Sequence, residues 1–159
     1  MISPSKRHRL HTQGFEDASD SDLFQVERWL RFTPALCGLI VAAGTVFAEP
    51  WVFFALAPIA ALGTAFPVHP FDLLYNYGLR HLTHTPALPP NGAPRRFACG
   101  MATVWIIAIG VSFAMGAPVP GYVLGGLMAA VAGLLATTHV CIPSMIYRAT
   151  FCRTTRRPA

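Results

Sequence analysis

Two stretches decide the fold: Phe97–Ala117, FACGMATVWIIAIGVSFAMGA, and Tyr122–Ile142, YVLGGLMAAVAGLLATTHVCI. Each has 21 residues and no Asp, Glu, Lys or Arg. A helix rises about 1.5 Å per residue, so about 20 residues cross the roughly 30 Å hydrocarbon core of a bilayer. Each stretch therefore suffices for one span. Pro118, Pro120 and Gly121 set a tight turn between them. Toward the N-terminus, Phe32–Ala48 and Trp51–Phe66 are also uncharged but have only 17 and 16 residues. Extension to Trp29 and to Pro70 brings them to spanning length. Glu49-Pro50 disfavours helix continuation and makes a second tight turn. The expected fold is all-α: four transmembrane helices arranged as two helical hairpins. The spans fall at about 30–48, 51–68, 97–117 and 121–142, within a membrane domain over 23–152.

Composition agrees. The chain is 53% hydrophobic and 12% charged, against about 25% charged in soluble domains. Its twelve Lys and Arg lie in the N-terminal segment, the central loop (Arg80, Arg95, Arg96) and the tail (Arg148, Arg153, Arg156, Arg157). The two tight turns carry only Glu49. The positive-inside rule puts both termini and the central loop in the cytoplasm. Basic residues that flank apolar runs, rather than forming one patch, argue against a nucleic-acid partner; contact with anionic lipid head groups accounts for them. Residues 1–28 are polar and mixed in charge, unlike a cleavable signal peptide, so the first run is expected to remain as an anchor. Residues 1–22 are expected to be disordered and 153–159 to form a basic tail. Leu23–Arg31 reads as a short helix, capped by Asp22, with Trp29 at the interface.

The central loop, 67–96, holds an amphipathic piece, Phe71–Leu82, read as lying in the membrane interface, then a stiff proline-rich connector. His81 and His84, with His69 upstream, are the candidate metal ligands; an unremarkable interfacial segment is the alternative, and no cofactor is implied. In the fourth helix Gly121, Gly125, Ala129, Gly133 and Thr137 recur every four residues, which lets backbones approach closely. That row implies packing on several sides of a central helix, with a homo-oligomer contact as the alternative. At its end Pro143 cannot donate to the carbonyl of His139, so the helix should break there, and Ser144 could cap a new one over Met145–Phe151.

Topology groups the cysteines. Cys37, Cys99, Cys141 and Cys152 all fall toward the cytoplasmic, reducing side, which disfavours structural disulfides. Cys141 and His139 are two apart and point to different sides of a helix.

The strings His69-Pro70-Phe71-Asp72-Leu73-Leu74-Tyr75-Asn76, Pro89-Pro90-Asn91-Gly92-Ala93-Pro94-Arg95-Arg96-Phe97-Ala98-Cys99-Gly100 and Cys141-Ile142-Pro143-Ser144-Met145-Ile146-Tyr147 resemble the bacterial membrane-protein family catalogued as domain of unknown function family 4395. The resemblance implies four membrane helices in a bacterial inner membrane and supplies no activity. Many members resemble this chain but carry Cys-x-x-Cys where Cys141-x-x-Ser144 stands, so a resolving thiol is missing here.

With no catalytic constellation legible, the first functional expectation is a non-enzymatic accessory or scaffold component that presents a basic face to a cytoplasmic partner. The second is a thiol or sulfur-handling protein centred on Cys141, His139 and Cys99, working with a sulfur-transfer or thioredoxin-like partner. The third is a small-molecule or ion carrier, disfavoured by spans with no ionisable group besides His139 and the thiols.

Overall fold

Pro4 and Ser3 begin the first surprise of the structure, a computed structural model that describes residues 3–15 and 18–151. Ser3 caps helix α1 (Pro4–Thr12) by accepting from the Lys6 N–H, and Pro4 occupies the first turn, where no donor is needed. The expected disorder of 1–22 is thus corrected for residues 3–15 and 18–22. Leu10 and Phe15 supply the anchors that the polar composition hides: both are buried with Leu23, Val26, Leu30, Tyr75 and Leu88 in a small core of their own. Glu16 and Asp17, Cys152 and the basic tail lie outside the described residues.

The chain continues through α2 (Asp20–Val26), a short 3₁₀ turn (Trp29–Arg31), α3 (Phe32–Val46) and α4 (Pro50–Ala65). After α4 come α5 (Pro70–Leu74), a π turn (Tyr75–Leu79) and α6 (Arg80–Thr83); the last three long elements are α7 (Ala93–Ala114), α8 (Pro118–Thr138) and α9 (Ile142–Phe151). Among the described residues there is no strand. Three helical segments are long and apolar enough to cross a membrane: Trp29–Val46, α7 and α8. A fourth exists if α4 and the Pro70–Thr83 segment form one broken span. That pair is bent by 87°, so extension of α4 toward Pro70 does not occur: Phe66 is already extended. His69 and Asp72 start the new direction as a reciprocal capping box. The segment Pro70–Thr83 leaves Leu74, Tyr77 and Leu82 exposed while Tyr75 is fully buried.

The two tight turns join sequential helices, but the packing runs across them. α4 lies along α7, and α3 along α8. The first pair meets where Gly110 of α7 faces the Cβ of Phe53 and the ring of Phe54. The second meets where Gly38 of α3 faces Ala132 of α8 and where Gly125 of α8 faces Thr45. Val41, Phe53, Leu56, Ile106 and Ile109 fill the space between the pairs. The small-residue row of α8 is divided by this arrangement. Gly121 meets Phe113 and Gly125 meets Thr45, whereas Gly126 and Gly133 face open space. Within the chain the helix packs against α3 and α7.

At one end of the bundle α1, the end of the central loop and α9 meet. Gly14 lies against Gly92, and Arg148 of α9 donates through Nε to the Thr12 carbonyl (2.9 Å) and through Nη2 to that of His11. Arg96 donates to the last carbonyls of α4, Thr64 (2.9 Å) and Ala65 (2.8 Å).

The divided row gives a direct test. A Cβ at Gly125 would collide with Thr45, so Gly125→Leu is expected to lower the thermal midpoint in mild detergent, with an overpacking cost of about 1–3 kcal/mol. Gly126→Leu, pointing into open space, is expected to leave the midpoint unchanged.

Candidate functional site

The site forms where helix ends run out of backbone partners. α8 ends at Thr138, and His139 takes a left-handed conformation with φ 57°. Its carbonyl, which Pro143 cannot use, accepts from Gln13 Nε2 at 2.8 Å. The neighbouring Thr138 carbonyl accepts from Arg9 Nη1 at 2.7 Å. Both donors come from the N-terminal segment, whose ordering the sequence does not reveal.

α9 begins earlier than expected. The carbonyl of Cys141 receives the Met145 N–H at 3.1 Å, so Cys141 stands at the start of the helix and Pro143 sits in its first turn. Ser144 is therefore not the cap. Fully buried, its Oγ donates to the carbonyl of Pro94 (3.2 Å) and lies 3.1 Å from Cys141 Sγ.

Three free cysteines from distant parts of the chain approach one another here: Cys37 from α3, Cys99 from α7 and Cys141 from the α8–α9 break. Cys99 lies within electrostatic reach of both Cys37 and Cys141. All three line one cavity of about 160 Å³ with Gln13, His69 and Arg95. Apart from Thr33, the remaining wall is apolar and includes Met101, Trp105 and Met128.

Beside this cavity Asp72 gathers the bent segment. Its carboxylate accepts from Thr33 Oγ1 (2.5 Å), Asn91 Nδ2 (2.9 Å) and the His69 N–H (3.4 Å). Arg95 Nη2 is 4.0 Å away, and the Arg95 guanidinium lies over the ring of Phe15 at 5.1 Å. Neither Arg95 nor Asp72 stands out as a functional residue in the sequence. The Asp72 side of the arrangement is foreshadowed only by its place two residues after a proline that opens a helix.

The candidates separate. Cys141, Cys99 and Cys37 line one cavity. His139 leaves the group: its Nε2 accepts from Arg31 Nε at 2.9 Å and lies 3.6 Å from Glu27, which also binds Lys6 Nζ at 2.7 Å. His69 is buried and serves as the cap of α5, its Nδ1 accepting from the Phe71 N–H at 3.2 Å. His81 and His84 are exposed. Among the described residues no three His, Cys, Asp or Glu stand together as a metal set.

A family model described as Domain of unknown function (DUF4395) matches residues 26–151, and the chain belongs to that family. No curated protein and no solved structure matches it.

The His139 cluster makes a pH-dependent clasp just beyond α8. Burial, helped by the Arg31 charge and opposed by Glu27, pushes the His139 imidazole down to about 4, which suits an Nε2 that accepts from Arg31. Burial pushes Glu27 up, but the hydrogen bond and charge of Lys6 prevail and hold it below its ordinary value. Below about 6.5 the unfolded chain takes up a proton that folded His139 refuses, so stability falls from there toward pH 4. The Glu27 contribution is lost only below its ordinary 4.5. Thermal midpoints in mild detergent are expected to fall between pH 6.5 and 4; His139→Asn is expected to reduce that fall without abolishing it, because burial also pushes the His69 imidazole down to about 4, and to leave the loss at lower pH.

Proposed function

We propose that this member of the DUF4395 family is a membrane thiol protein, in which Cys141, backed by Cys99 and Cys37, exchanges sulfur or reducing equivalents with a cytoplasmic sulfur-transfer or thioredoxin-like partner. One observation carries the reading: cysteines separated by some sixty and forty positions converge on a single cavity. Buried cysteines often serve as small hydrophobes, but that role asks for no such convergence. In the redox form of the reaction, one of the three thiols attacks a disulfide of the partner as thiolate and forms a mixed disulfide; a second thiol of the chain attacks that bond, so the partner leaves as a dithiol and one disulfide remains on the chain. In the sulfur-transfer form, a Cys thiolate attacks the outer sulfur of a partner persulfide; the partner leaves as thiolate, and a persulfide remains on the chain.

The membrane arrangement belongs to the same proposal. All four apolar segments cross a bacterial inner membrane, α4 as a short span that turns into the interface at Phe66–His69, and both termini and the central loop are cytoplasmic. The meeting of α1, the loop end and α9 at one end of the bundle supports this arrangement. Pro70–Thr83, turned 87° from α4, has the orientation of an interfacial helix. The scaffold reading relied on a basic face open to a partner. Arg9 and Arg96 are instead turned onto carbonyls of their own chain, which lessens the appeal of that reading.

Oxidation in mild detergent with diamide, or exposure to an organic polysulfide, is expected to convert at least one of Cys37, Cys99 and Cys141 to a disulfide or persulfide seen by peptide mass spectrometry. Three thiols that all stay free would overturn the reading. Ser144→Cys is expected to form a disulfide with Cys141, because Oγ already stands 3.1 Å from Sγ and a disulfide bond is about 2.0 Å. Failure to form it under oxidant would remove Cys141 from the role.

A further inference from the structure

The cavity that holds the three thiols is closed at its polar end and open on an apolar side. Gln13, Thr33, His69 and Arg95 line it and are all only 3–9% exposed, and Gln13 is held there by its bond to the His139 carbonyl. Met101 of α7 and Ile142 of α9 line it as well, and these are 37% and 43% exposed. The void therefore reaches the surface beside the apolar residues. Its place follows from the hairpin of α7 and α8. Near the turn Phe113 sits against Gly121, and further along Trp105 Nε1 donates to the Leu124 carbonyl at 3.2 Å. Past that tie the cavity lies between the two helices, with Ala98 and Ala102 on the α7 side and Val131 and Leu135 on the α8 side. A second groove, lined by Gly100 and the exposed Val104, shares Met101 and Trp105 with the cavity, so the two adjoin.

We infer that the thiol cavity opens sideways into the bilayer between α7 and α8, and that an uncharged, lipid-soluble, thiol-reactive molecule enters it there. This rests on the membrane arrangement and the thiol reading proposed above, and adds to the partner protein a small reactant with its own way in. In that arrangement Met101 and Val104 face acyl chains rather than water. The wall then selects by polarity. An ionised group that leaves water for an apolar cavity is heavily penalised unless it is paired. Arg95 does not supply the pairing: its Nη1 is buried out of reach, its Nη2 turns toward Asp72, and the guanidinium lies over Phe15. The size follows from the volume. A cavity of about 160 Å³ is close to the roughly 150 Å³ apolar cavity that takes up benzene, so the molecule has a body of about one aromatic ring. Once inside, it meets the thiols as the nucleophiles of the wall.

The test uses the full chain in phosphatidylcholine nanodiscs, where water reaches both faces of the bilayer. Two one-ring mercurials are compared: phenylmercury chloride, uncharged and lipid-soluble, and para-chloromercuribenzenesulfonate, which carries a fixed charge. The readout is the rate at which mercury binds Cys37, Cys99 and Cys141, by peptide mass spectrometry. Phenylmercury is expected to bind at least one of the three, with the sulfonate slower by about tenfold or more. Ala102→Phe and Val131→Phe fill the gap from α7 and from α8. Each is expected to slow phenylmercury several-fold with helical circular dichroism retained, whereas Val123→Phe, at an exposed position of α8 away from the cavity, is expected to react at the parent rate. Equal rates for the two mercurials, or no phenylmercury on any of the three cysteines, would overturn the entrance, and this comparison needs no variant to fold. Parent rates in both filled variants would overturn it too. Thiols that form a disulfide or persulfide under the oxidants named above, yet take up both mercurials at one rate, sink the entrance and leave the thiol proposal standing. Thiols that take up phenylmercury selectively but never form either product sink the thiol proposal and leave the entrance.

Discussion

A helix leaves its last carbonyls without backbone donors, and next to a bilayer there is little water to take them. Much of this structure follows from how that demand is met at one end of the bundle. Arg96 serves the end of α4, Arg9 and Gln13 serve the end of α8, and Arg148 serves the end of α1. A guanidinium near a helix C-terminus also complements the negative end of the dipole. These contacts tie the N-terminal segment, the central loop and the C-terminal helix into one polar cap over an apolar bundle. The cap lies beside the cavity that Cys37, Cys99 and Cys141 line together, with Gln13 belonging to both.

Residues Phe97–Ala117 and Tyr122–Ile142 announce their helices through length and lack of charge, because a bilayer imposes both and little else. Partner choice is another matter. Gly38, Ala132 and Gly125 are small, and small residues permit a close approach without naming the neighbour; hence the pairing of α3 with α8 and α4 with α7 is invisible in the pattern. The free carbonyl at His139 can be inferred from Pro143, four positions on. Its partner, Gln13, lies 126 residues away, and no local rule reaches that far. Leu10 and Phe15 were hidden for a similar reason: two apolar side chains in a polar stretch have the composition of disorder, and only the core they enter makes them order-forming.

The cavity shows the same division between what is local and what is not. Cysteines 37, 99 and 141 each lie near a charged end of an apolar run in the sequence, which makes their proximity conceivable but not specific. His139, beside Cys141 in sequence, turns away because the left-handed backbone at the end of α8 directs it to Arg31 and Glu27. Arg95 looks in the sequence like half of an Arg-Arg pair at a membrane boundary. In the fold the pair divides: Arg96 goes out to the end of α4, and Arg95 goes in toward Asp72 and the cavity. Neighbours on a helix point some 100° apart, so one position decides which arginine is an anchor and which reaches the interior.

The span of chain between the members of the polar cap has a consequence for biosynthesis. The strap that carries Gln13 leaves the ribosome first, yet its fasteners, the His139 carbonyl and Arg148, are 126 and 136 residues behind it. Leu23, Val26 and Leu30 give the N-terminal helix early packing partners, but its contacts to the far end of the chain are long-separated and close late. The polar cap is therefore completed only when the final helix arrives, and until then the carbonyls at the ends of α1 and α8 wait for their distant donors.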